Sequence, residues 1–100
     1  MLVRYSPRAV QDIDALLAYI HKRSPQGALK ASLAVEHTVS VCAEYPRSGT
    51  RTNKPGTYRR PLAKYRFTLF YRIIENEGCI EIIRLVRGGR VKNLSQVPKT

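Results

Sequence analysis

The sequence predicts an α+β domain: a helix hairpin packed on one face of a mostly antiparallel sheet, in the order strand–helix–helix–strand–strand–strand. Three observations predict it. Ser6-Pro7 and Ser24-Pro25 each pair a capping hydroxyl with a proline suited to the first helical position, and each opens a stretch with helical periodicity. Tyr58 to Arg90 places β-branched and aromatic residues at period two, which suits a pleated sheet. A polar loop, Arg47 to Gly56, separates the helical half from the sheet half.

Leu2 to Tyr5 is a short strand candidate that ends at Ser6-Pro7. The first helix runs to about Lys22. Its predicted stripe is Val10, Ile13, Leu17 and Ile20, flanked by Ala9 and Leu16. Asp12 and Asp14 lie towards its positive end, and Lys22 and Arg23 lie at its negative end. The second helix starts after almost no loop and runs to about Glu44. Ala28, Ala31, Val35, Val39 and Cys42 form its core stripe, with Leu29 and Leu33 off it. Tyr45-Pro46 stops it, because a residue before proline avoids helical geometry.

The sheet half opens with Tyr58 to Leu62, where Pro61 marks an edge position or a strand end. Lys64 falls in the following turn. The next strand, Arg66 to Glu75, sets Phe67, Leu69, Tyr71 and Ile73 on one parity and Phe70 and Ile74 on the other. Asn76-Glu77-Gly78 is the turn, since Asn and Gly accept positive φ at low cost. The last strand, Cys79 to Val86, sets Ile80, Ile82 and Val86 on one face and Ile83 and Leu85 on the other. Both long strands are apolar on both sides, so one helical layer plus a second layer or a partner should cover them.

The chain has 100 residues, enough for a single domain over 1–100, with 91–100 as a tail expected to be mobile. No run is long enough to span a membrane, and the N-terminus enters patterned sequence without a signal peptide, so a cytoplasmic location is expected. Cys42 and Cys79 lack metal-like spacing and read as buried free thiols of a reducing compartment. His21 and His37 have no second ligand at metal spacing; neither a metal nor a cofactor is expected.

The net charge is +11, and it is lopsided. Residues 1–45 hold five Lys/Arg and four Asp/Glu, whereas residues 46–100 hold thirteen and three. Such a field favours a polyanion or an acidic protein. No phosphate-binding Gly loop and no Ser/His/Asp or Cys/His spacing is present. A ribonuclease without histidine remains conceivable in chemical terms: Arg59, Arg60, Arg84, Arg87 and Arg90 would stabilise developing negative charge while another group activates the 2′-hydroxyl.

Taken together, YSPRAVQDIDALLAYI, SPQGA, EYPRSGTRT, YRRPLAKYRFTLFYRI and IEIIRLVRGGR resemble, in order and spacing, the RelE/ParE superfamily of toxins from type II toxin–antitoxin modules. The resemblance spans roughly residues 3–90. It implies a compact toxin neutralised by a cognate acidic antitoxin. RelE-like members cleave mRNA on the ribosome with basic strand residues, an arginine after the last strand and a C-terminal tyrosine. Carried over, Arg59 and Arg90 match two of these positions and Arg66 lies near another. Pro61, Thr68 and Gln96 replace residues that the nuclease set requires. ParE-like members instead inhibit DNA gyrase, and the PLAKYRFTLFYR wording and the VRGGR ending are similar to theirs.

The resemblance therefore implies a binding inhibitor of gyrase rather than an enzyme. Its candidate target contacts are Arg59, Arg60, Arg84, Arg87, Arg90 and Lys92. Its candidate antitoxin contacts are Leu29, Leu33, Phe70, Arg72 and Ile74. The alternative is a ribosome-dependent endoribonuclease acting on mRNA, with Arg59, Arg66 and Arg90 as its basic set. A plain nucleic-acid-binding module ranks last, because stacking aromatics are not interleaved with the cations.

Overall fold

The computed structural model describes residues 1–62 and 64–88. Arg90, Lys92, Gln96 and the tail 91–100 lie outside the described residues. The elements are β1 (Leu2–Tyr5), α1 (Pro7–His21), α2 (Pro25–Glu44), β2 (Thr50–Arg51), β3 (Thr57–Pro61), β4 (Phe67–Ile74) and β5 (Cys79–Arg87), with 3-10 turns at Pro46–Ser48 and Glu75–Glu77. They form one five-stranded sheet in the order β1-β5-β4-β3-β2. β1 runs parallel to β5, and the other pairs are antiparallel. The predicted class is therefore the observed one: two helices on a mostly antiparallel sheet.

Both helix starts follow the capping chemistry read from the sequence. The Ser6 hydroxyl accepts from the Ala9 amide at 3.0 Å, and the Ser24 hydroxyl accepts from the Gly27 amide at 2.9 Å. Ser6 does more than cap. Its hydroxyl also donates to the Ile83 carbonyl at 2.8 Å, and its amide donates to the Ile82 carbonyl at 2.9 Å. It thereby fastens the start of α1 to β5 at the point where β1 stops pairing.

The core lies between the helices and the sheet. Ala9 and Leu16 of α1 and Val35, Val39 and Cys42 of α2 pack on Tyr58, Leu69, Tyr71, Ile80, Ile82 and Leu85. The α2 stripe is the predicted one. The α1 stripe is rotated from prediction: Ala9 and Leu16 are buried, Leu17 is only half-buried, and Val10 is 45% exposed. Ala9 sits directly over the sheet, where a larger side chain would hold the helix away.

The face assignment of β5 also needs correction. Register slips between Phe70 and Tyr71, so that Phe70 pairs with Arg84 and Tyr71 with Ile82. Ile83 is the extra residue of a β-bulge, and every side chain beyond it changes face. Leu85 thus joins the helix-side core, while Ile83 and Val86 pack with Phe70 on the other side. The loop contributes β2, which pairs with β3, so β3 is internal and Pro61 marks only its end. At the β4–β5 turn only Gly78 takes positive φ (63°), and its amide closes on the Glu75 carbonyl at 3.2 Å. Both cysteines are free and buried.

Candidate partner-binding groove

A groove of about 710 Å³ runs between α1 and the end of the sheet where β4 begins and β5 finishes. Leu16 and Ile20 form one wall, and Phe67 and Leu85 form the floor. Tyr19 and Tyr65 stand at its sides, and Lys64, Arg66 and Arg87 form an exposed cationic rim. Local structure puts them there. Lys64 adopts φ 70° and turns the chain between β3 and β4. The Gly88 amide donates to the Arg66 carbonyl at 2.6 Å, and the Thr68 hydroxyl donates to the Gly88 carbonyl at 2.7 Å, which ties the two strand ends together.

Asp12 and Arg84 are the charged pair inside this groove. Arg84 donates to Asp12 through Nε at 2.7 Å and through Nη2 at 3.4 Å, and the Leu85 amide donates to the same carboxylate at 3.0 Å. Asp12 therefore completes the edge of β5 that β1 leaves unpaired. Its role near the helix dipole, expected from sequence, is secondary to this contact across the chain. Arg84, a candidate target contact, is engaged within the fold. The three rim cations form no ion pair among the described residues.

The remaining arginines do not converge. Arg60 reaches into the helix layer, where Nη2 donates to the Ser48 hydroxyl beside Cys42. Arg59 alternates to the opposite face and pairs with Phe70. The Nε atoms of both are buried without a hydrogen-bond partner among the described residues. Arg66 stands at the groove rim, away from Arg59, so the described part of the nuclease set is dispersed. Arg72 is held by Glu81, with Nε at 2.7 Å, and Arg4 holds Glu77 at 2.8 Å. Of the predicted target contacts among the described residues, Arg84 and Arg87 line the groove, and only Arg87 does so without an acidic partner among the described residues.

Two tyrosines beneath this arginine layer are structural. Tyr58 and Tyr71 stack with centroids 5.7 Å apart. The Tyr71 hydroxyl donates to the Pro46 carbonyl at 2.7 Å. Burial pushes its pKa up to about 12, with nearby Cys42 adding to the shift. Burial likewise pushes the Cys42 thiol up. Neither group is poised to take a proton at neutral pH.

Of the predicted antitoxin contacts, Phe70 is 1% exposed and closed to a partner. Ile74 is half-buried, and Arg72 is exposed but paired with Glu81. Leu29 and Leu33 stand out on α2, 63% and 55% exposed. Sequence reading missed the groove itself, because its walls come from segments about fifty residues apart. The one available signal was the apolar and cationic run around Lys64 to Phe67. Among the described residues no group of His, Cys, Asp or Glu is arranged to hold a metal ion. No described helix is long and apolar enough to cross a membrane.

A helix hairpin packed on this sheet order is the fold of RelE/ParE-type toxins. The chain belongs to the ParE family: residues 3–91 match the description "ParE toxin of type II toxin-antitoxin system, parDE". It is 32% identical over 81 residues to the protein Y4kP of Sinorhizobium fredii, covering 81% of this chain and 84% of that one. The fold is similar to that in the chromosomal ParDE system from P. aeruginosa, with TM-score 0.72, 24% identity, and 88% and 96% of the two chains covered. The isolated E. coli RelE toxin superposes with TM-score 0.64 at 15% identity, covering 91% and 87%.

Proposed function

We propose that this ParE-family toxin acts by binding DNA gyrase, without catalysis of its own, and is silenced by an acidic antitoxin seated in the α1–sheet groove. The observation that carries the reading is the dispersal of the arginines. A nuclease without histidine needs cations and a proton acceptor focused on one phosphate. Here Arg84 is held by Asp12, Arg60 by Ser48, and Tyr71 by Pro46. A binding inhibitor needs only a stable, charged surface.

The groove supports the antitoxin half of the reading. Its apolar floor suits the greasy face of an amphipathic helix, and its rim suits acidic residues beside that face. Its volume also lies in the range of a built binding site. Such a partner would act in the cytoplasm, where gyrase works on DNA.

Purified toxin should block gyrase supercoiling in vitro, and adding the acidic protein encoded beside it should restore supercoiling. Translation-dependent cleavage of mRNA by the pure toxin, with supercoiling intact, would instead establish the ribosomal reading.

A further inference from the structure

We infer that the free edge of β1 is a docking site for an extended segment of a partner protein, one that carries a single lysine or arginine among β-branched residues. The segment adds a strand beside β1 and sets its cation in the hollow that Asp14 and Glu36 line.

The backbone fixes the conformation of the occupant. β1 stands at one end of the sheet order, pairs only with β5 among the described residues, and is exposed at all four positions. The Leu2 amide donates to the Gly78 carbonyl at 3.2 Å, and the Ser6 amide donates to the Ile82 carbonyl at 2.9 Å, so the even positions face β5. By alternation the N–H and C=O groups of Val3 and Tyr5 face outward. Sheets commonly blunt such an edge with a proline, a bulge or a free charge. Here Arg4, the one charged side chain of β1, is drawn to Glu77 and Glu81. Leu2, Val3 and Tyr5 are left 75%, 37% and 41% exposed. Free backbone groups at strand spacing are satisfied together by another strand and not by a helix.

Charge fixes one side chain of the occupant. Asp14 and Glu36 line a hollow of about 270 Å³ beside Tyr5, with Val10, Ile13 and Val35 as its apolar walls. Burial, and then the Glu36 charge, raise the Tyr5 hydroxyl above its ordinary value. Neither carboxylate forms an ion pair among the described residues, although the chain carries 18 Lys/Arg. Two unpaired carboxylates over apolar walls suit one long cationic side chain, its stem along the walls and its head between the acids. A net charge of +11 repels a polybasic tract, so the occupant carries one such cation and not a run of them. An acidic antitoxin is drawn instead to the cations of the groove rim.

The probe is a peptide blocked at both ends, Ser-Thr-Val-Lys-Val-Thr-Ser, titrated into the purified toxin while backbone amides are followed by magnetic resonance. It should saturate with a dissociation constant below about 1 mM, and the same peptide with glutamate in place of lysine should bind at least about tenfold more weakly. The Val3 and Tyr5 amides should gain protection from exchange, while those of Leu2 and Ser6, already bonded to β5, should change little. Asp14→Asn/Glu36→Gln should weaken the lysine peptide at least about tenfold, and Asp14→Lys/Glu36→Lys should reverse the preference between the two peptides. Val3→Pro removes an outward donor without touching the β5 ladder and should also weaken binding. No saturation by about 1 mM, equal binding of the two peptides, or protection at Lys64 to Phe67 in place of Val3 and Tyr5 would each overturn the inference. So would protection of Val3 and Tyr5 by toxin self-association alone, or displacement of the peptide from them by the acidic antitoxin. Supercoiling is not read in these measurements, so the inference stands or falls apart from the proposed target.

Discussion

At the scale of single residues, Asp12 shows how one carboxylate joins two ends of the chain. It accepts from the Arg84 guanidinium and from the Leu85 amide, residues more than seventy positions away. Replacing it with alanine strands a half-buried cation and a backbone donor together. Asp12→Ala should lose about 2 kcal/mol of stability, and Asp12→Asn, which can still accept from Leu85, should lose less. Chemical denaturation of the two variants measures the difference. The sequence put Asp12 on α1 but offered no sign of its partner, because a long-range ion pair leaves no periodic trace. Tyr71 and Cys42 give a second residue-scale expectation. Burial favours the neutral form of each, so the unfolded chain ionises first and the folded chain holds its protons longer. Their contribution to stability is full below pH 9.0, the ordinary thiol value, and should drain away as pH rises towards about 12. Denaturant midpoints followed from neutral to alkaline pH should fall for wild type. They should fall less steeply for Tyr71→Phe, whose hydroxyl cannot ionise.

At the scale of elements, period and punctuation made most of the fold readable. Two Ser-Pro pairs marked two helix starts, and the α2 stripe came out as predicted because small residues at helical spacing leave little choice of face. The short β2 could not be read, since two residues of polar loop carry no period and acquire strand geometry only from pairing with β3. The bulge in β5 was equally hidden. An inserted residue keeps the composition of a strand while reversing its faces, so Leu85 and Val86 exchange roles. That exchange is measurable. Leu85, 3% exposed in the main core, should cost about 2–5 kcal/mol as Leu85→Ala, and the half-buried Val86 should cost clearly less as Val86→Ala. Equal losses, or a larger one at Val86, would mean that the strand runs in the unbulged register.

At the scale of the whole molecule, charge was legible as a total and illegible as a site. The sequence showed a cationic C-terminal half, but not which arginines the fold consumes. Asp12, Glu77 and Glu81 hold Arg84, Arg4 and Arg72, and Ser48 holds Arg60. What remains at the groove is Lys64, Arg66 and Arg87, three exposed cations around an apolar floor. If an acidic antitoxin sits there, each rim charge contributes no more than about 1 kcal/mol, because water screens it. Together they should amount to about 2–3 kcal/mol. Replacing all three with alanine should therefore weaken antitoxin binding roughly 30- to 150-fold at low salt, since each 1.4 kcal/mol is tenfold. The loss should shrink as salt rises, because salt has already screened the wild-type rim. Thermal stability should hardly change, as none of the three has an acidic partner among the described residues. Titration of the purified antitoxin into wild-type and triple-variant toxin at two salt concentrations reads both effects. Unchanged affinity at low salt would move the acidic seat away from this groove, and a loss independent of salt would mean that the rim acts by shape rather than charge.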